Sequence, residues 1–507
     1  MTQPTNLSLL SQRRVGVLLH ISSLPSPYYV GDLGAEAMRV VDLFNTLGVT
    51  IWQTLPINMP HADNSPYQCL SAHAGNPDFI SLDVLQTIGL LTLDEVSSFI
   101  ASESFNKSEL LAKAYQVFIQ KADMQPSFVD FCSQQAHWLN DFALFLALRA
   151  KFNRTGWDQW PEAYKNRDLT TLQHAHEELA EEIAIIQFTQ FMFFTQWHSL
   201  KEYAASKNVY LFGDIPIFVA YDSAEVWAQP HLFKLDKDKN MSVVAGVPPD
   251  YFCATGQRWG NPHYNWDAMA ADGYAWWVSR MATQSALFDM VRIDHFRGLE
   301  AAWEIPCTEE TAMNGQWALA PGDELLVAIT QALPNVTLVA EDLGIITPEV
   351  DALRIKYNLP GMKILQFAFS GAEDNPYLPH NIDVNSVVYT GTHDNDTTVG
   401  WYDALDEQQH EHVRTYLQSS KSEEQQSNPI QLDMPTDLIN MALESNAQLA
   451  IIPIQDLMAL DGGHRMNTPG TCTGNWHWRF TWQQLSEHLS DEQQANFAEA
   501  VKRTGRA

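Results

Sequence analysis

The 507-residue chain sets 61 Asp and Glu against 30 Lys and Arg, a formal net charge of −31. A surface this acidic repels phosphate backbones and anionic headgroups, which argues against nucleic acid and membrane partners and leaves a neutral ligand unpenalised. Hydrophobic residues at 45% and charged residues at 18% describe a globular chain with a large core.

The five cysteines (Cys69, Cys132, Cys253, Cys307 and Cys472) are odd in number and contain no CxxC pair. That pattern points away from a disulfide framework and a zinc site and toward a reducing compartment. Met1 to Arg14 is polar and lacks the apolar run of a signal peptide, and no apolar stretch is long enough to span a bilayer. A cytoplasmic location is expected.

In chain order, eight short β-type runs recur: Val15–Leu24, Val49–Ile57, Val209–Val219, Met290–Gly298, Thr337–Gly344, Pro360–Phe369, Ser386–Asp396 and Leu449–Met458. Near-continuous apolar runs of this length suit a parallel sheet covered on its outer face. Helical patterns lie between several of them. In Ala35–Leu47, Met38, Val41, Phe44 and Leu47 share one face, and Gly48 is placed to stop the helix. Eight strands alternating with helices predict a TIM-type (β/α)8 barrel spanning 1–507 as one catalytic unit. An open doubly wound sheet is the alternative, but the first strand is followed by SLPSP and not by a GxGxxG loop.

Two insertions are expected on the C-terminal face of the barrel. Residues 58–208 separate the second and third strands and look mainly helical, with apolar helical spacing in Phe142–Phe152 and Glu181–Lys207 and a break at Pro161. Residues 220–274 are rich in Gly, Pro and aromatics and read as a structured loop, a wall or lid for a cleft. Ser419–Asn428 reads as an exposed polar turn, and the tail beyond Phe480 is too short for a separate β-sandwich.

Active sites of such barrels gather at the C-terminal ends of the strands. Here those ends carry Asp214, then Arg292, Asp294 and His295, then Glu341 and Asp342, then His393 and Asp394, then Gln455 and Asp456. Strand side chains alternate with period two, so Arg292 and Asp294 point the same way and Ile293 points outward. An Arg beside an Asp favours its ionised form, which a nucleophile requires. Glu341 follows the apolar Leu338–Ala340, where desolvation raises a carboxyl and keeps a proton available for a leaving group. An ionised and a protonated carboxyl on neighbouring strands are the pair that retaining glycoside chemistry uses. Asp394, beside His393, adds a third carboxylate suited to sugar hydroxyls and an oxocarbenium-like transition state. Asp342 and Asp456 are equally readable as caps or ion-pair partners.

At these residues the sequence resembles the α-amylase clan and, more narrowly, glycoside hydrolase family 77, the amylomaltase or disproportionating-enzyme family. The matching blocks are NSPYQ (Asn64–Gln68), SAHAGNP (Ser71–Pro77), VAGVPPDYFCATGQRWGNPHYNW (Val244–Trp266), RIDHFRG (Arg292–Gly298), AEDLG (Ala340–Gly344), TGTHDNDT (Thr390–Thr397), MNTPGT (Met466–Thr471) and GNW (Gly474–Trp476). The resemblance implies a 4-α-glucanotransferase with Asp294 as nucleophile, Glu341 as acid/base and Asp394 as transition-state stabiliser. It further implies sugar contacts from Tyr67, Asp214, Arg292, His295, His393 and Asn467. Its cleft-covering loop matches Tyr251–Trp259, with Tyr251, Phe252, Gln257 and Trp259 against glucan. Two positions depart from relatives: Pro60–Asp63 reads PHAD where some carry an aromatic residue at a secondary groove, and Ser370 stands where others have Asp.

The expected partners are malto-oligosaccharides and α-1,4-glucans as donors and glucose or malto-oligosaccharide as acceptor, with no cofactor and no metal. The alternatives are an amylase-type α-1,4-glucan hydrolase and a non-catalytic glucan-binding protein. A metal-dependent phosphoesterase is weaker, since no HExxH or similar ligand spacing appears.

Overall fold

The computed structural model describes residues 9–102, 106–249, 253–419, 432–471 and 473–507. Among them the strands are, in chain order, β1 (Arg14–Leu18), β2 (Ile51–Gln53), β3 (Tyr210–Ile215), β4 (Val243–Val247), β5 (Gln257–Pro262), β6 (Met290–Ile293), β7 (Ala301–Pro306), β8 (Gln316–Leu319), β9 (Leu338–Ala340), β10 (Gly361–Ile364), β11 (Ser386–Tyr389) and β12 (Leu449–Pro453). Each of the eight apolar runs of the sequence supplies one strand of a parallel eight-stranded sheet, ordered β10-β11-β12-β1-β2-β3-β6-β9. Its two ends meet where the Ala340 N–H donates to the Pro360 carbonyl at 3.0 Å. The sheet thereby curls into a nearly closed barrel, as a TIM barrel requires.

Alternation sorts the strand residues into two layers. Leu18, Ile51, Phe212, Met290, Val339, Met362, Val387 and Ile451 pack inside the barrel. Val17, Trp52, Leu211, Val291, Ala340, Val388 and Ile452 pack outward under the helices. Both layers are apolar, so the runs read as continuous and not alternating. Each fully buried aliphatic side chain contributes about 1.5–3 kcal/mol relative to exposure. The interior admits no side chain at Gly16, whose Cβ would lie 2.4 Å from Ile451 Cδ1 and 2.9 Å from Ile51 Cβ.

The helix after β1 runs Ala35–Thr46 and stops at Gly48, whose φ of +73° favours glycine. Between β2 and β3 the chain is mainly helical, and its longest helix is Ala180–Ser206. This helix holds the segment that follows NSPYQ. Gln190 accepts from Gly75 N–H at 2.8 Å and donates to Gly75 O at 3.0 Å. Gln196 does the same to Ser81 at 2.7 and 3.1 Å.

The segment 220–274, read from sequence as a structured loop, carries β4 and β5. They join β7 and β8, which arrive after β6, in a four-stranded antiparallel sheet ordered β5-β4-β7-β8. The composition of 220–274 concealed this because half of the sheet is supplied from residues 301–319. After Phe480 the chain forms two helices, Trp482–His488 and Asp491–Arg503, each opened by a capping box. Among the described residues no helix is long and apolar enough to cross a membrane.

Candidate active site

The site begins inside the barrel, on β6. Register sets Asp214 opposite Arg292, and period two turns Arg292 inward with Met290. The buried Arg292 guanidinium forks onto Asp214, with Nε to Oδ1 at 2.9 Å and Nη2 to Oδ2 at 2.8 Å. The same Nη2 donates to Asp294 Oδ1 at 2.7 Å and to the Tyr67 hydroxyl at 3.2 Å. Burial works against the charge, but Asp214, Tyr67 and Asp294 hold Arg292 firmly protonated.

Tyr67 donates to Asp214 Oδ2 at 2.7 Å and lies 3.0 Å from His393 Nε2. Burial and Asp214 push its hydroxyl far above the ordinary range, so it keeps its proton. With that proton on Asp214, His393 must carry hydrogen on Nε2 and donate to the Tyr67 oxygen. The two rings stack at 5.3 Å. Burial, aided by Arg292, lowers the His393 imidazole and keeps it neutral against the pull of Asp394 and Asp214.

Glu341 follows β9. Its Oε2 accepts the His295 N–H at 2.6 Å and its Oε1 the Leu343 N–H at 3.0 Å. Desolvation, with Asp342 adding, nevertheless raises it to about 7 against the opposing influence of Arg292 and the two amides. Asp294 is also raised. Burial is the main cause, Asp214, Glu341 and Asp394 add to it, and Arg292 opposes. The expected Arg292–Asp294 contact is therefore present, but it does not outweigh desolvation among three neighbouring carboxyls. Asp294 keeps 29% side-chain exposure, at the cleft.

Asp394 is half exposed at the mouth. Its Oδ1 accepts from Asn467 Nδ2 at 2.6 Å and its Oδ2 lies 3.4 Å from His393 Nε2. His295 adopts a left-handed backbone with φ of 53°, which turns its N–H to Glu341. Its Nε2 is buried with no protein partner, and burial lowers the ring to about 4. Trp259 meets the His295 ring edge-on at 4.8 Å, and its indole N–H donates to Gln257 Oε1 at 3.1 Å.

The structure thus brings Tyr67, Asp214, Arg292, Asp294, His295, Glu341, His393, Asp394 and Asn467 to one mouth, with Gln257 and Trp259 joining through His295. Tyr251 and Phe252 lie outside the described residues, as does most of Ser419–Asn428. Asp342 and Asp456 are structural. Asp342 accepts Met362 N–H at 2.6 Å and pairs with Arg354 at 3.2 Å. Asp456 holds Thr390 and Thr398 at 2.6–2.7 Å.

Sequence reasoning missed three neighbours. Trp476 packs 6.0 Å from both Tyr67 and His393 with a left-handed φ of 68°. GNW was legible as a motif, but nothing in it showed which ring it would meet. His20, two residues past β1, sits 3.0 Å from Thr54 Oγ1 and is held near 3 by burial and by His393. As a polar residue past a strand end, it carried the same signal as Asp214. Arg465 donates to the Asp394 and Asn467 carbonyls at 3.0 and 3.2 Å, locking the turn that bears Asp394 to the segment that bears Asn467.

A sequence profile of glycoside hydrolase family 77, described as 4-alpha-glucanotransferase, matches residues 19–485. The 4-alpha-glucanotransferase of a Synechocystis strain is 44% identical over 496 residues, covering 95% of this chain and 96% of that one. That of Thermus thermophilus is 43% identical over 507 residues, covering 97% and 99%. Among solved structures, the amylomaltase from Streptococcus agalactiae in complex with acarbose aligns with a TM-score of 0.92 at 33% identity, covering 98% of this chain and 100% of that chain. With the barrel and its carboxylate-lined mouth in place, likeness over nearly the whole length leaves one assignment: the chain belongs to glycoside hydrolase family 77, the 4-α-glucanotransferases.

Proposed function

We propose that the chain transfers α-1,4-glucan segments between malto-oligosaccharides by a retaining double displacement, with Asp294 as nucleophile, Glu341 as acid/base and Asp394 as stabiliser. The observation that carries this reading is the distribution of charge between Asp294 and Glu341. Both carboxyls are raised, so near neutrality the pair holds a shared proton. Arg292 touches Asp294 at 2.7 Å, whereas Glu341 accepts only backbone amides. In the proposed step Glu341 carries the pair's proton and Asp294, the carboxyl that Arg292 touches, carries the charge.

Glu341 then gives its proton to the glycosidic oxygen while an Asp294 oxygen bonds to C1. The C1–O bond breaks, and the first sugar leaves with that proton. An acceptor next brings its 4-hydroxyl, Glu341 takes the hydroxyl proton, and the new C1–O bond displaces Asp294. Two inversions keep the α configuration. Asp394 and Asn467, hydrogen-bonded to each other at 2.6 Å at the mouth, are placed to hold ring hydroxyls. The unpartnered Nε2 of neutral His295 is a further donor or acceptor for sugar. Trp259, edge-on to His295 at 4.8 Å, supplies an apolar surface that favours a sugar over water as acceptor. Neutral glucans meet no electrostatic barrier from a chain of net charge −31.

The test is a product ladder from maltotriose in metal-free buffer. Glucose with a rising series of longer malto-oligosaccharides supports transfer, while glucose and maltose alone establish a hydrolase. Asp294→Asn is expected to lower turnover by several orders of magnitude, and near-normal turnover rejects the nucleophile assignment.

A further inference from the structure

The turn that bears Tyr67 is closed by the next residue. Gln68 N–H donates to the Ser65 carbonyl at 3.1 Å, and Tyr67 itself is fixed to the barrel through Asp214. The Gln68 side chain leaves this turn and meets Asn261 of β5. Gln68 Nε2 donates to Asn261 Oδ1 at 3.0 Å, and Asn261 Nδ2 donates back to Gln68 Oε1 at 3.4 Å. The same Nδ2 donates to the Val219 carbonyl at 3.0 Å, on the segment that leaves β3 after Asp214. The buried Asn261 amide thus joins three segments that bear site residues: the Tyr67 turn, the exit of β3 and the strand of Gln257 and Trp259.

The tie falls where β5 is bulged. Val244 pairs with Pro262 and Gly246 with Arg258, so one residue of β4, Ala245, spans Trp259, Gly260 and Asn261. A bulge interrupts ladder hydrogen bonds and re-aims side chains. Here Gly260 takes a φ of +84°, Asn261 reaches Gln68, and Trp259 meets the His295 ring at 4.8 Å. The Trp259 indole N–H bonds to Gln257 of its own strand and so does not tie the ring to the barrel. Asn261, two residues on, supplies that tie.

We propose that the Gln68–Asn261 amide pair positions Trp259 and thereby sets how the glycosyl intermediate is divided between sugar and water. The proposal rests on the reading of Trp259 as the surface that favours a sugar acceptor. Water reaching C1 gives its oxygen to the sugar and a proton to Glu341, breaks the ester to Asp294 and leaves a free reducing end. A Trp259 ring that drifts from His295 admits that water. Gln68 and Asn261 act through Trp259 and are positioning residues.

The experiment compares wild type with Gln68→Met, Asn261→Ala, Trp259→Ala and the double variant Gln68→Met/Trp259→Ala on maltotriose. Transfer conserves reducing ends and hydrolysis adds one for each bond cut, so the gain in reducing ends against maltotriose consumed gives the ratio of the two. Gln68→Met keeps the side-chain length at a partly exposed position and removes the amide; melting curves check the folding of each variant. The expected result is a hydrolysis-to-transfer ratio raised roughly fivefold in Gln68→Met and Asn261→Ala, the scale of one lost hydrogen bond, with maltotriose consumption changing less than the ratio. Adding Gln68→Met to Trp259→Ala changes the ratio no further. Hydrolysis and transfer falling in parallel, or an effect that adds in full to that of Trp259→Ala, overturns the proposal. A ratio raised by Trp259→Ala alone overturns it and leaves the reading of Trp259 standing, whereas an unchanged ratio in Trp259→Ala overturns both.

Discussion

Replacing Asp214 by Asn isolates the role of its charge, because the shape is nearly kept. The Asp214 side chain is fully buried and accepts three hydrogen bonds, two from Arg292 and one from Tyr67. An amide can accept from Nε, but its NH2 faces donors at Nη2 and at the Tyr67 hydroxyl. Removing one partner of a buried ion pair costs about 3–5 kcal/mol. Unfolding entropy near 2.1 cal/mol/K per residue gives this 507-residue chain roughly 1 kcal/mol/K, so Tm falls by about 3–5 °C. Arg292 then turns wholly to Asp294, and Tyr67 loses its anchor against His393. Turnover is therefore expected to fall at least a hundredfold, well beyond any effect of the small shift in Tm. Differential scanning calorimetry and maltotriose kinetics on one preparation make the comparison. A Tm within 1 °C of wild type with turnover within threefold would refute the idea that Asp214 holds Arg292 in place.

Raising pH through about 7 removes the proton that the folded chain holds on Glu341 and that an unfolded glutamate loses near 4.5. Transfer should decline as pH rises through about 7, while the stability contribution falls from about pH 4.5 and levels off above about 7, checked by pH–rate profiles and melting curves. Gly361→Ala would place a Cβ 2.2 Å from Asp342 Oδ2, displacing the carboxylate from Met362 and Arg354. A lower Tm with maltotriose KM unchanged is the expected outcome in paired melting and kinetic runs. Arg506→Met strips a fully buried guanidinium from the carbonyls of Arg14, Leu443, Ser445 and Ala447. Leu443 O keeps a bond from Arg13, and the other carbonyls that lose a buried donor, at about 1 kcal/mol or more each, predict a Tm loss of several degrees with catalysis intact, read by calorimetry and kinetics.

The eight strands were legible because a barrel strand buried on both faces leaves a compact apolar run. Arg292, Asp294, Glu341 and Asp394 were legible because charges ending such runs have a fixed meaning in this architecture. The small antiparallel sheet was not, because β4 and β5 find β7 and β8 across an intervening barrel strand, and pairing at that distance leaves no local trace. Trp476 was hidden for a related reason: its left-handed backbone and its contacts with Tyr67 and His393 are set by chain segments some 80 and 400 residues away.

By itself the sequence determined which residues carry charge at the strand ends and which way alternate side chains face, since period two is a property of the local chain. Only the tertiary structure decided how those charges share protons. It placed Arg292 between Asp214 and Asp294, set Glu341 on backbone amides, and desolvated both members of the acid pair. A carboxyl's affinity for its proton depends on every charge and every lost water within several ångströms, and those neighbours come from strands far apart in the chain.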